Sequence, residues 1–122
     1  MKKILVIDDD ETFQKAISTK LELLTYQVVL ASDGEEGLSK AVTEKPDLIL
    51  LDIKMPKLDG LAFLKKLRAN EGGLKIPVII TSNLSSIDKI SEGVSLGIKG
   101  YILKSNETLD TITKEIAAAL NT

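Results

Sequence analysis

The sequence predicts an α/β fold built on a single, doubly wound parallel sheet, and three observations carry that expectation. Five short apolar runs recur along the 122 residues, each is followed by a segment with helical spacing, and the connections between them are short. The runs are ILVI at Ile4 to Ile7, VVL at Val28 to Leu30, LILL at Leu48 to Leu51, VII at Val78 to Ile80 and YIL at Tyr101 to Leu103. Unbroken β-rich runs without polar alternation indicate strands buried on both faces, as in a parallel sheet.

Apolar stripes predict the five helices: Phe13, Ile17, Leu21 and Leu24; Leu38, Ala41 and Val42; Leu61, Leu64 and Leu67; Ile87, Ile90 and Val94; and Leu109, Ile112, Ile116 and Leu120. Strand then helix, five times over, implies right-handed crossovers and helices on both faces of an open sheet. The length suits one domain over residues 1–122, and no repeat or low-complexity linker divides it.

Composition removes several function classes. The chain has no histidine and no cysteine, so an imidazole base, a histidine or thiolate metal site, a thiol nucleophile and a disulfide framework are all excluded. A net charge of −2 lacks the basic excess expected of a nucleic-acid binder. No apolar run approaches the roughly 18 residues that cross a bilayer, and Met1 leads straight into a strand-like run instead of a signal peptide. The expectation is a cytoplasmic domain that binds neither DNA nor membrane.

In an open parallel sheet, ligands bind beyond the carboxyl ends of the strands, so chemistry is sought in the polar residues that follow each run. Asp8, Asp9, Asp10 and Glu11 follow the first, Asp52 the third, Thr81, Ser82 and Asn83 the fourth, and Lys104 the fifth. The second ends in Ala31 and Ser32 before a DG turn at Asp33 and Gly34 and offers little. Asp10 and Glu11 suit a helix start, where a carboxylate caps free N–H groups and complements the dipole. For Asp52 a turn aspartate before Pro56 is the lesser alternative even read alone, whereas Ser82 and Lys104 alone are ordinary loop and surface residues. Together they are the parts of a phospho-aspartate site: converging carboxylates for a hard divalent ion, a carboxylate nucleophile, a hydroxyl and an ammonium for phosphoryl oxygens.

Two families use such parts. Asp8, Asp10 and Thr12 spell D-x-D-x-T, which resembles the nucleophile motif of haloacid-dehalogenase-type phosphatases, and VIITSN at Val78 to Asn83 resembles that family's second motif. That reading lacks a late acidic motif and leaves Asp52 without a role. The second resemblance spans the whole chain. VIDDDE, LDIKMPKLDG, IPVIITSN and GIKGYILKS follow one another in the order and spacing of the receiver domain of two-component response regulators.

This resemblance implies a flavodoxin-like sheet in order 2-1-3-4-5 flanked by five helices. It further implies Asp52 as phosphoacceptor, Asp8 and Asp9 as the acidic pair for Mg²⁺ (or Mn²⁺) together with Asp52 and the Lys54 backbone carbonyl, and Lys104 and Ser82 as phosphoryl-binding residues. Ser82 and Tyr101 match the switch pair, with plain packing the lesser alternative for Tyr101. The implied partners are a sensor histidine kinase or histidine phosphotransfer protein and a downstream protein, and a homodimer through the face of the fourth helix, fifth strand and fifth helix stays open. The chain departs from the family pattern at three places. Ser105 follows Lys104 where proline is usual, and a cis bond before serine costs about 2.5–4 kcal/mol, so a trans bond is expected. Lys54 puts an ammonium beside Asp52, and Asn83 is larger than the usual small residue; both predict a long-lived phosphoryl state. A receiver-like binding module that is not phosphorylated is the remaining alternative.

Overall fold

The computed structural model describes residues 1–53, 59–70, 75–82, 91, 93–104 and 107–121. Strands β1 (Lys3–Ile7), β2 (Gln27–Ala31), β3 (Leu48–Asp52), β4 (Val78–Ser82) and β5 (Gly100–Leu103) form one parallel sheet in the order β2-β1-β3-β4-β5. Helices α1 (Glu11–Leu23), α2 (Gly34–Glu44), α3 (Gly60–Ala69) and a C-terminal helix (Leu109–Leu120) alternate with them. Residues 91 and 93–95, between β4 and β5, are helical as well. The expected strand order and the five helical segments are both present.

The apolar runs are unbroken because successive strand residues feed two cores. Leu5, Ile7, Ile49, Leu51, Val78 and Ile80 meet Ala41 of α2 and Leu61, Phe63, Leu64 and Leu67 of α3 on one face. Ile4, Val6, Leu48, Leu50, Ile79 and Ile102 meet Ile17 and Leu21 of α1 and Ile112 and Ile116 of the C-terminal helix on the other. A period of two along each strand thus sends adjacent apolar residues to opposite layers. Burial on both faces holds for β1, β3 and β4, whereas the outer strands β2 and β5 are only partly covered.

The four helices whose starts are described each begin on a capping side chain. Asp10 accepts from the N–H groups of Thr12 and Phe13, Asp33 from Glu36, Asp59 from Ala62 and Thr108 from Thr111. Asp33 and Gly34, expected as a turn, are therefore the cap and first residue of α2. Arg68, near the end of α3, donates to the carbonyls of Ile76 and Leu96 and so ties that helix to the segments entering β4 and β5.

Three stripe residues lie outside the core. Val42, Val94 and Leu24 are 48%, 62% and 46% exposed. Leu24 is past the end of α1, at its C-cap. In α2 the buried line runs through Gly34, Gly37 and Ala41, and a Cβ on Gly37 would stand 2.6 Å from Ile7 Cδ1, so close approach rather than a large side chain marks the contact. Gly93 behaves alike, with its Cβ position 3.1 Å from Ile98 and 3.2 Å from Ile80, and Val94 is turned one residue off that line. Ile87 and Ile90 lie outside the described residues.

The tightest backbone approach lies under the candidate site. A Cβ on Gly60 would meet the Asp52 carbonyl oxygen at 2.5 Å and Ile53 Cα at 2.6 Å, and neither atom can swing aside. Gly60→Ala is expected to lower the unfolding free energy by about 1–3 kcal/mol through overpacking, read by urea denaturation; a midpoint equal to wild type would refute the close approach.

Candidate functional site

The parallel register alone gathers the strand ends. Ile7 pairs with Leu51, so Asp8 stands one residue beyond the strand beside Asp52, while Asp52 pairs with Thr81 and Ser82 with Leu103, the residue before Lys104. Asp52, Thr81 and Ser82 are the last residues of their strands, not loop residues, and are 7%, 1% and 1% exposed. Strand backbone therefore fixes the positions of a carboxylate and a hydroxyl with little freedom.

Asp8 is the most constrained member. Its backbone N–H donates to the Ala31 carbonyl, and its Oδ1 accepts from the Asp10 N–H at 2.9 Å. Lys104 Nζ donates to its Oδ2 at 2.5 Å and lies 3.8 Å from Asp52 Oδ2. Burial pushes the Asp8 carboxyl above its ordinary value of 3.8; the bonds from Lys104 and Asp10 pull the other way, and the neighbouring Asp9 charge adds to the rise. Asp9 is exposed at the rim.

One carboxylate oxygen from each of Asp8, Asp9 and Asp52 lies within 4.8 Å of the others. An all-oxygen donor set of three carboxylates suits a hard divalent cation, so the residues present fit the metal expected from sequence. The opposite wall is formed by β4 and β5. Tyr101 and Ser82 are joined by a side-chain hydrogen bond, and the Tyr101 hydroxyl is held above its ordinary value of 10.0, first by burial and further by the Asp52 charge, while the bond to Ser82 lowers it.

Asp8, Asp9, Asp52, Ser82, Tyr101 and Lys104 thus converge on one sheet edge, whereas Lys54, Asn83 and Ser105 lie outside the described residues. Asp10 and Glu11 take the helix-start role expected of them. Two contributors, Gln14 and Phe13, were not legible in the sequence as parts of the site. Gln14 is buried and donates through Nε2 to the carbonyls of Asp8 and Ala31, clamping the ends of β1 and β2. Phe13 places its ring 4.4 Å from Lys104 Nζ. The Thr81 hydroxyl is buried and has no hydrogen-bond partner among the described residues. Gln14 in a helical stripe position was the one available signal, since a buried amide needs two nearby carbonyls. The D-x-D-x-T reading does not fit this geometry: Asp8 is 1% exposed and engaged on both oxygens, and Thr12 N is bound in the helix cap.

Known proteins agree with the geometry. Residues 4–117 match the family model described as the response regulator receiver domain. The alkaline phosphatase synthesis transcriptional regulatory protein PhoP of Bacillus subtilis is 46% identical over 104 residues, covering 84% of this chain and 42% of that protein. The DNA-binding dual master transcriptional regulator RpaA of Synechocystis is 38% identical over 104 residues, covering 85% of this chain and 43% of that protein. This chain therefore matches less than half the length of these relatives. Among solved structures, the chemotaxis protein CheY4 of Vibrio cholerae superposes with a TM-score of 0.90 at 29% identity, covering 98% of both chains. The receiver domain of the Francisella response regulator 1452 superposes with a TM-score of 0.89 at 34% identity, covering 99% of this chain and 98% of that one. The chain belongs to the response regulator receiver domain family of two-component signalling.

Proposed function

We propose that Asp52 accepts a phosphoryl group from a phosphohistidine on a sensor kinase or histidine phosphotransfer protein, and that the modification switches a protein-binding surface. One observation supports this above the rest: Lys104 Nζ, partly buried at the sheet edge, is within 3.8 Å of Asp52 Oδ2 while bonded to Asp8. A cation already shared between the two carboxylates is placed to meet phosphoryl oxygens arriving on Asp52.

Asp8, Asp9 and Asp52, with the Lys54 carbonyl, would hold Mg²⁺ or Mn²⁺, which neutralises charge on the phosphoryl oxygens when bound. An Asp52 oxygen attacks phosphorus as the bond to the donor imidazole breaks, and the imidazole leaves with its electron pair. Ser82 and Lys104 then bind phosphoryl oxygens. Water later attacks the acyl phosphate to return Asp52 and inorganic phosphate, an attack that the sequence expects the Lys54 charge and the size of Asn83 to slow. The chain acts on no substrate but itself, in the cytoplasm.

The output follows from the Ser82 hydrogen bond. Ser82 is engaged by Tyr101, so a phosphoryl oxygen must compete with that contact, and its success frees the Tyr101 ring to repack on β5. The surface affected is that of β5 with the helical segment before it and the C-terminal helix after it, where a downstream protein or a second copy of the chain would bind. The transcriptional role of PhoP and RpaA belongs to those longer proteins, and a comparable output here would need a DNA-binding region beyond residues 1–122. Residues 1–122 form a single receiver domain in this reading.

Incubation with acetyl phosphate and Mg²⁺, followed by intact mass, is expected to show a gain of one phosphoryl group that Asp52→Ala abolishes and that survives for longer than seconds after donor removal. Labelling that persists in Asp52→Ala would sink the reading, and loss within seconds would sink the shielding assigned to Lys54 and Asn83. A second expectation concerns pH. Tyr101 ionisation, isolated as the ultraviolet difference between wild type and Tyr101→Phe, is expected above 10.0; Asp52→Asn removes a charge that raises it and shifts it down, whereas Ser82→Ala removes a bond that lowers it and shifts it up. Because the folded value lies above the unfolded one, the stability linked to this group is present below pH 10 and is lost as pH rises through the folded value. Shifts of the same sign in the two variants would contradict the shared wall of Asp52, Ser82 and Tyr101.

A further inference from the structure

Lys104 sits beyond the end of β5 on a flexible four-carbon stem, and the residue after it is serine, whose φ is not locked by a ring. Something else must hold the ammonium where it serves two carboxylates. Asp8 supplies one restraint, at 2.5 Å from its Oδ2. The second lies on the opposite side of the sheet edge from Tyr101: the Phe13 ring, whose centroid is 4.4 Å from Nζ.

Phe13 is itself held by the site. Asp8 Oδ1 accepts from the Asp10 N–H at 2.9 Å, and Asp10 Oδ1 accepts from the N–H groups of Thr12 at 3.0 Å and Phe13 at 3.3 Å. Lys104 then closes the circuit from the Phe13 ring back to Asp8 Oδ2. The acidic run thus fixes the first turn of α1, that turn fixes the ring, and the ring supports the cation that neutralises the acidic run. Packing alone does not require an aromatic here, because Phe13 is only partly buried at the rim of the core beneath α1 and leucine would fill the same role. A π face is needed only to attract a cation.

We propose that Phe13 is a positioning residue for Lys104, holding the ammonium on its ring face at the point from which it reaches the phosphoryl group on Asp52. This rests on the reading of Asp52 as phosphoacceptor. It predicts that the ring's electrostatic character, not its bulk, sets how well Lys104 acts. Replacement by leucine removes the attraction and leaves the ammonium to the two carboxylates alone, without the ring that fixes its position between them.

The test uses the full chain with residue 13 as phenylalanine, as singly to triply fluorinated phenylalanine introduced by codon suppression, as tyrosine and as leucine, each with Lys104 and with Lys104→Ala. The first readout needs no donor: ring current should displace the Lys104 ε-methylene proton resonances upfield, a displacement kept by Phe13→Tyr and lost in Phe13→Leu. The second is the rate of adduct formation with acetyl phosphate and Mg²⁺. Phe13→Leu is expected to slow it about threefold to tenfold, fluorination to slow it in steps, Phe13→Tyr to restore it, and none of these to matter once Lys104 is alanine. Undisplaced methylene protons overturn the contact. A wild type that labels, with an equal Phe13→Leu loss in Lys104→Ala, overturns the role of Phe13 alone. A wild type that takes no phosphoryl group overturns the reading of Asp52 and this role with it.

Discussion

The rest of the site depends on one contact, the Lys104 ammonium on the Asp8 carboxylate at 2.5 Å. Asp8 follows β1 and Lys104 follows β5, three strand spacings away in the sheet, roughly 14 Å at a standard separation. No strand-to-strand side chain spans that distance directly. The contact exists because Lys104 lies beyond its strand, and because the two strands between them stop at Asp52 and Ser82. The same path carries the lysine past Asp52.

Keeping Asp8 in that place works against the fold. Its carboxyl is raised above 3.8 by burial even with Lys104 and the Asp10 N–H stabilising the anion. The folded state thus holds the proton more tightly than the unfolded state. The linked stability is present below the unfolded value and is lost as pH rises through the folded one, so at neutral pH the ionised Asp8 opposes folding. A buried carboxylate retained under that penalty, with a second and a third within 4.8 Å, is better explained by a cation it must bind than by any contribution to the core.

How far the site could be read from sequence follows from which physical signals are local. The strands were legible because both cores draw on consecutive apolar residues, and the polar strand ends were legible because each stands directly behind such a run. Lys104 could be matched to Asp8 and Asp52 only once parallel order was assumed, since no local pattern links residues on β1, β3 and β5. Phe13 was read as one more member of the α1 stripe, which is also true: a ring has an edge for packing and a face for a cation, and periodicity reports only the edge. Val42 was misplaced for the converse reason. Helical spacing marks large apolar residues as the contact line, whereas α2 approaches β1 through Gly37, where the absence of a side chain is the signal.

Asp52 stands between two faces of the sheet, and an aromatic waits on each. Phe13 meets Lys104 on the face of α1 and the C-terminal helix, while Tyr101 packs toward α3 and bonds Ser82 on the other. In the proposed reading a phosphoryl group on Asp52 draws on both partners, and the two responses differ in kind. Lys104 can turn from Asp8 toward the new oxygens while still over the Phe13 ring, because attraction to a π face is broad and has no hydrogen bond to break. Ser82 has one proton to donate, so giving it to a phosphoryl oxygen leaves Ser82 only as an acceptor toward Tyr101, and any bond kept between them must reverse direction. The Phe13 side therefore absorbs the added charge with little rearrangement, and the Tyr101 side must rearrange. That asymmetry sends the signal out through β5 and leaves α1, which carries the acidic pair's own helix cap, as the fixed half of the domain.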